Sequence, residues 1–329
     1  MPDFALPPLY QKWVDNVLRQ PIYSEARATC NNCPMCAPQE RIAKADYQFN
    51  PNTRCCVYHP TVPNFLIGAI ISDKDADPEA KEQFTQGALR MDVTPFGIEP
   101  TNRARQYYKL IPFGKFEEAL CPFYIQRPNS CGIHKYRNAR CSTWFCKHER
   151  GNVGLRFWLK LDAMLTAAEI ELAKYCIGKL EVKIPEEPKD AREKFWGNWM
   201  FREPEFFQEC WRIVEPLSWE EILSISGEKL NSAVDELIEA FNQLNSNSIP
   251  KSLRVGKFTQ EDIGDDFVRI WSYHPYNSID LRKEIVDVLP LFDGRSVEDV
   301  LSQIGKETSL QLDDSLLLKL TSYRILIST

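Results

Sequence analysis

Cys30-Asn-Asn-Cys33-Pro-Met-Cys36 sets three thiols at two-residue intervals. A chain with that spacing can close on one soft cation as a tight knuckle, and the spacing recurs in zinc and iron–sulfur sites. The residues around it, 1 to about 60, are rich in Pro, Asn and Cys and poor in apolar periodicity. They read as loops ordered by ligation rather than by an apolar core. Bacterial ferredoxins continue such a run with a fourth cysteine three residues on. Here the next is Cys55, so further ligands must come from elsewhere in the fold.

The rest of the chain explains why the thiols are read as ligands. Its 329 residues are 43% hydrophobic, 26% charged and 12% aromatic, the balance of an ordinary globular protein of about two domains. Such a chain buries adequate cores without disulfide staples. The longest uncharged apolar stretch, Phe65–Ser72, is far below the roughly 20 residues of a bilayer span, and the start MPDFALPPLY has no basic-then-apolar signal. The expected location is therefore cytoplasmic, with no membrane partner and with thiols kept reduced. Clustered cysteines in that setting point to metal or catalysis. Nine of the eleven are Cys30, Cys33, Cys36, Cys55, Cys56, Cys121, Cys131, Cys141 and Cys146. His59, His134 and His148 each lie within three residues of one of them.

Vicinal Cys55 and Cys56 would point to opposite faces of an extended segment and so serve different centres, or only one would be a ligand. The later cysteines are ten, ten and five residues apart, too far for a single knuckle: Cys121-Pro-Phe-Tyr124, Cys131-Gly-Ile-His134-Lys-Tyr136-Arg137, then Arg140-Cys141 and Cys146. Residues 101–160 carry twelve Lys and Arg against three acids, net +9 in a chain of −6, which leaves −15 elsewhere. Cations beside thiolates lower their pKa and offset buried negative charge. The acidic remainder opposes attraction to phosphate, so no nucleic-acid partner is expected.

In order, C-x2-C-x2-C, CC, CPF, C-x-I-H-x-Y-R and C over residues 30–146 resemble the YkgJ-type cysteine-cluster family, the CxxCxxCC proteins. Two departures stand out. Eighteen residues separate Cys36 from Cys55, and Asn138-Ala-Arg140 replaces the family's Arg-Pro before the final cysteine. The resemblance implies zinc or iron chelation by Cys30, Cys33, Cys36, Cys55, Cys56, Cys121, Cys131 and Cys141, with Cys146 just beyond. The family includes flagellin lysine N-methylases. That implies methyl transfer to a protein lysine with S-adenosylmethionine as cofactor, its carboxylate held by Arg137 and Arg140.

Eight or nine thiols suffice for two tetrahedral zinc sites or two iron–sulfur clusters. The all-sulfur donor set and the aromatic surroundings (Tyr107, Tyr108, Phe113, Phe123, Tyr124, Trp144, Phe145) favour iron–sulfur, of the 4Fe–4S type, with zinc as the alternative. A zinc-stabilised binding module without catalysis and an electron-transfer protein are the competing functions. P-loop, GxGxxG, HExxH and GxSxG patterns are absent from the sequence. Asp73-Lys-Asp75-Ala-Asp77 lacks the Gly and Glu of a calcium loop and reads as a solvated turn.

Beyond the cysteines, Phe65–Ile71 reads as a buried strand or the first turns of a helix. Apolar residues from Leu155 to Leu180 recur at helical spacing and predict one long helix, with Cys176 on its apolar stripe. Ile184-Pro-Glu-Glu-Pro-Lys189 suits a linker. Ser218-Trp-Glu-Glu221 is a capping box, and Cys210 among Phe206, Phe207 and Trp211 reads as core. Near the C-terminus the expected order is a strand Phe267–Tyr273, a helix Ile279–Phe292 and a turn at Asp293-Gly294. A helix capped by Ser296, a helix Asp314–Thr321 and a closing strand Tyr323–Ile327 follow. The strings LPLFDGRSVEDVL (289–301) and LLLKLTSYRIL (316–326) resemble the winged-helix-type, PqqD-like peptide-binding domains, which implies a peptide or protein partner. The expected fold is α+β and mainly helical. A cysteine-rich, loop-rich domain (1–183) precedes a helical domain (190–329), which ends in a winged-helix-like module at about 265–329.

Overall fold

A computed structural model describes residues 6–30, 32–36, 48–86, 91–125, 130–183 and 191–329; the expected linker at 184–189 lies outside the described residues. The fold is α+β and mainly helical, 51% helix and 14% strand. The chain forms two compact units, Met1–Ile22 with Phe49–Trp144 and Lys160–Ile238, and Tyr23–Gln48 with Phe145–Leu159 and Glu239–Thr329. The units interleave along the chain, whereas the sequence reading cuts it once, near residue 184.

The first unit begins with a helix that the sequence reading missed. Pro8–Leu18 (α1) buries Tyr10, Trp13, Val14 and Leu18, the spacing of one helical face. The loop expectation for residues 1–60 therefore fails over this stretch. Strands Val62–Pro63 (β1), Met91–Thr94 (β2) and Gly97–Pro100 (β3) form a small antiparallel sheet in the order β1-β3-β2. Asn64–Ser72 (α2) settles the open reading of Phe65–Ile71 as helix. It is buried on all faces from Asn64 to Ile70, which is why no amphipathic period marks it. Pro78–Gln86 (α3) and Asn102–Leu110 (α4) follow, then a short hairpin, Tyr124–Ile125 (β4) with Ser130–Cys131 (β5).

Ala139–Thr143 (α5) precedes the long helix Gly151–Lys179 (α6), which passes from the second unit into the first at Lys160. Ala191–Trp196 (α7), Glu203–Val214 (α8) and Trp219–Asn245 (α9) complete the helices before the C-terminal region. α9 starts on the expected capping box: Ser218 N–H donates to Glu221 Oε2 at 2.8 Å and Glu221 N–H to Ser218 Oγ at 3.2 Å. The helix breaks at Gly227, whose φ of 65° suits a residue without Cβ. Cys176 and Cys210 are both fully buried core thiols, and the Cys176 S–H donates to the Cys210 carbonyl at 3.7 Å.

The second unit is built on two antiparallel sheets: Asp293–Ser296 (β10), Ser252–Val255 (β6) and Leu326–Ser328 (β11) in one, Thr259–Gly264 (β7), Phe267–Trp271 (β8) and Ile279–Arg282 (β9) in the other. Lys283–Val288 (α10), Val297–Glu307 (α11) and Asp314–Ser322 (α12) pack apolar residues such as Val300, Ile304, Leu317 and Leu320 into its core. The strand at Phe267, the helix capped by Ser296 and the helix from Asp314 match the expectation. Two assignments change. Residues 279–282 are a strand, not helix, because Ile279 and Leu281 alternate inward against β8. Asp293-Gly294 is strand β10 rather than a turn, paired with β6.

Candidate metal centre

In the first unit five cysteines lie on three segments of the chain. Cys55 and Cys56 lie on a run of turns, with Arg54 at φ 53° and the Cys56 N–H bonded to Thr53 O at 2.9 Å. The segment is therefore not extended. The two vicinal side chains meet through a hydrogen bond that, as its largest effect, lowers the Cys56 thiol below its ordinary pKa; Arg54 and Arg137 act in the same direction and burial acts against them. Cys121 is tied to this turn by its own N–H, which donates to Cys56 O at 2.8 Å. The β4–β5 hairpin then sets Cys131 opposite Tyr124, whose N–H reaches Cys121 O at 3.0 Å. Cys141 rides on α5, where Asn138 Oδ1 accepts its N–H at 3.0 Å.

Two acids on α6 dock that short helix. Glu169 accepts the Ala139 N–H at 2.7 Å and the Tyr10 hydroxyl, and Asp162 pairs with Arg140 at 2.9 Å and accepts from Thr143 Oγ1 at 3.4 Å. Burial pushes Cys121 well above the usual thiol range, and the charges of Cys141 and Cys131 push it further. Cys141 is raised likewise by burial and then by Cys131, with Arg137 opposing. Thiolates that repel one another in a partly dry site are relieved by a cation held among them.

The second unit holds the other four. Cys36 N–H closes a turn on Cys33 O at 3.1 Å. The segment before Cys30 is fixed to the segment after Cys146 by two bridges. Buried Glu25 accepts the Glu149 N–H and the Trp158 indole N–H, both at 2.6 Å. Arg27 donates to the Tyr323 hydroxyl at 2.7 Å, which donates to His148 O at 3.0 Å. Burial and then the charges of Cys33 and Cys30 push Cys146 up to about 12, with Lys147 opposing. Tyr276 is raised to about 12 by burial and then by Cys146, and its carbonyl accepts Lys147 Nζ at 2.6 Å.

The histidines organise these loops. His59 Nε2 lies 3.1 and 3.0 Å from the carbonyls of Ala119 and Leu120, just before Cys121, and its ring packs on Tyr108 at 4.4 Å. His148 and His134 are each lowered to about 4, mainly by burial, so both are neutral near pH 7. The His148 ring meets Asn277 at 3.3 Å.

Several cations of the basic stretch are paired with acids of other elements. Arg105 pairs with Glu99, Lys135 with Asp73, Arg156 with Glu239 and Lys160 with Glu236. Residues 73–77 are a turn with Lys74 and Asp75 exposed, but the Asp73 carboxylate at its start also accepts from the Tyr136 hydroxyl at 2.6 Å, fixing the Cys131–Arg137 motif to the end of α2. Of the two expected cofactor cations, Arg137 donates its Nε–H to His134 O at 3.1 Å and its charge lowers the Cys56 and Cys141 thiols, whereas Arg140 is engaged by Asp162. Phe123 and Tyr124 are buried beside the hairpin, while Tyr107 and Phe113 are exposed. Glu25, Glu169, Asp162 and Tyr10 were missed in the sequence. Only Glu169 left a signal, as an acid among Leu165, Ala168 and Leu172 on the apolar stripe of α6.

No disulfide joins any of the eleven described cysteines. Among the described residues, no three His, Cys, Asp or Glu side chains stand close enough to hold one metal ion. A tetrahedral zinc with Zn–S near 2.3 Å needs its sulfurs about 4 Å apart. A cluster interposes iron and sulfide between its thiolates and accepts wider spacing. No family model, curated protein or solved structure matches the chain. Among the described residues, no helix is long and apolar enough to cross a membrane.

The docking of α5 carries a pH prediction. Burial raises Glu169 from 4.5 to about 7, against hydrogen bonds from Tyr10 and Ala139 that lower it. The native state then keeps a proton that the unfolded state releases, so this group's contribution to stability falls as pH rises from about 4.5 through 7. The change is about 3 kcal/mol. Glu169→Gln keeps an acceptor and removes the titration. Urea midpoints at pH 5 and 8 are expected to fall more steeply with pH in the parent than in the variant; parallel slopes would contradict this assignment.

Proposed function

We propose that this chain is an iron–sulfur protein whose cysteines hold clusters of the 4Fe–4S type. The convergence of Cys56, Cys121, Cys131 and Cys141 from a turn, a hairpin and a docked short helix carries this reading. Four soft donors from distant parts of one unit, two of them (Cys121 and Cys141) raised by burial and then by neighbouring thiols, support such a centre.

When bound, a cluster supplies one-electron chemistry tuned by nearby charge and burial. The chain's own groups prepare the surroundings. Arg137, whose charge lowers the Cys56 and Cys141 thiols, offers a guanidinium to an anionic group, such as a cofactor carboxylate. His59 and Tyr108 hold the approach to Cys121, and Asp73 fixes the Cys131–Arg137 motif. The resemblance to the YkgJ-type family extends the proposal to modification of a peptide or protein, with the C-terminal module as the partner's docking domain.

Anaerobic purification, followed by iron and acid-labile sulfide determination and a visible spectrum, tests the reading. Iron and sulfide in equal amounts with the broad absorption of sulfur-ligated iron are expected. Stoichiometric zinc in a colourless sample would overturn it in favour of a metal-stabilised binding module.

A further inference from the structure

Lys109-Leu110-Ile111-Pro112-Phe113-Gly114-Lys115 lies in the first unit, where α4 ends. Four consecutive apolar residues sit between two lysines, and none of the four is buried: Leu110 is 83% exposed and Phe113 44%. Phe116 beyond them is 41% exposed. Arg103 and Tyr107, both exposed, precede Leu110 on the same face of α4. Folded chains leave single apolar side chains in water at little cost, but a contiguous exposed run of four marks a contact surface.

The tip is held from below. The Gly114 backbone lies directly on the Phe49 ring, and its carbonyl accepts the Asn50 N–H at 2.7 Å and Thr53 Oγ1 at 3.4 Å. Phe113 meets Phe49 edge-on at 5.6 Å and tilts against Trp144 at 5.5 Å. Leu110 protrudes from this fixed base. The segment that supplies Asn50 and Thr53 continues into Cys55 and Cys56.

Charge selects what can cover the tip. Residues 101–116 hold Arg103, Arg105, Lys109 and Lys115 and no acid, in a chain of net −6. A second copy docking through the same face would oppose like charges. Single-stranded nucleic acid needs ring faces to stack on, which Leu110, Ile111 and Pro112 lack. A leucine that is 83% exposed is not lodged in a groove and calls for a medium that envelops it. The interface of an anionic bilayer does so, because acyl chains receive the apolar tip while headgroup phosphates receive the cations around it. Crossing a membrane takes a long apolar helix, absent among the described residues; lying on one takes only such a tip.

We propose that the Leu110–Phe113 tip, with Lys109 and Lys115 on either side, is a docking surface for an anionic phospholipid bilayer, which brings the turn bearing Cys55 and Cys56 close to the membrane surface. This departs from the expectation of no membrane partner, which rested on the lack of a spanning segment. It is independent of the iron–sulfur reading.

The test is flotation of the full-length protein with vesicles of equimolar phosphatidylcholine and phosphatidylglycerol, compared with phosphatidylcholine alone. The parent should float with the mixed vesicles, less so as salt rises, and far less with phosphatidylcholine. Leu110→Ser should melt with the parent, since the side chain is exposed, yet weaken binding to the mixed vesicles about tenfold or more. Lys109→Gln, also at an exposed position, should weaken it about fivefold. Failure of the parent to float, equal binding to both kinds of vesicle, or undiminished binding by both variants would overturn the proposal. Binding of a single-stranded oligonucleotide in place of vesicles would overturn it too. None of these outcomes bears on iron or sulfide content, so the two readings fail separately.

Discussion

Gly68→Ala is expected to destabilise the first unit by about 3 kcal/mol or more, read as a lowered urea midpoint and a lower melting temperature. α2 lies against α8 so closely that a Cβ at position 68 would stand 1.8 Å from Phe207 O, 2.6 Å from its carbonyl carbon and 2.9 Å from Trp211 Cβ. Two of these atoms are backbone, so no rotamer change relieves the clash; the helices must part. Parting them opens contacts of Phe65, Ile67, Phe206 and Phe207, all at most 1% exposed. Overpacking of a tight core typically costs about 1–3 kcal/mol, and a clash that displaces backbone belongs at the top of that range. Displacement of α2 also shifts Asp73, the acceptor for Lys135 and Tyr136 of the cysteine motif. A variant that melts with the parent would refute the close approach of the two helices.

Cys121→Ser should have a comparable or larger effect on the metal-loaded protein. Serine preserves the backbone bond from residue 121 to Cys56 O and removes only the thiol, so the change isolates ligation. In loop-rich metal domains binding energy is folding energy, with apparent values of about 10–16 kcal/mol for structural zinc. On the proposed iron–sulfur reading, loss of one ligand therefore removes a large share of what orders the turn at Cys55–Cys56 and the β4–β5 hairpin. Circular dichroism melting under anaerobic conditions is expected to show early loss of structure in Cys121→Ser, and likewise in Cys33→Ser for the second unit. Unchanged melting in both would show that the thiols are incidental to folding.

Periodicity carried the reading wherever one face of an element is apolar. α6, the Ser296-capped α11 and α12 stand out for that reason, and the capping box at Ser218 is visible because its chemistry is local. The reading failed at α1, whose apolar residues fit one face but sit among prolines and the cysteine-rich loops. It also failed at β9, where two alternating pairs looked like the start of the next helix. α2 was undecidable because a segment buried on all sides has no period.

By itself the sequence determined the inventory: an α+β, mainly helical chain, nine clustered thiols, two core thiols at Cys176 and Cys210, and a C-terminal α/β segment. Those follow from local spacing and composition, which need no knowledge of distant neighbours. Only the tertiary structure decided which thiols share a unit. It put Cys146 in one unit with Cys30, Cys33 and Cys36, turned Cys55 and Cys56 towards each other and gave Arg140 to Asp162. The reason is physical: such groupings depend on hydrogen bonds spanning more than a hundred residues, such as Tyr10 to Glu169 and Glu25 to Trp158, and linear spacing does not encode them.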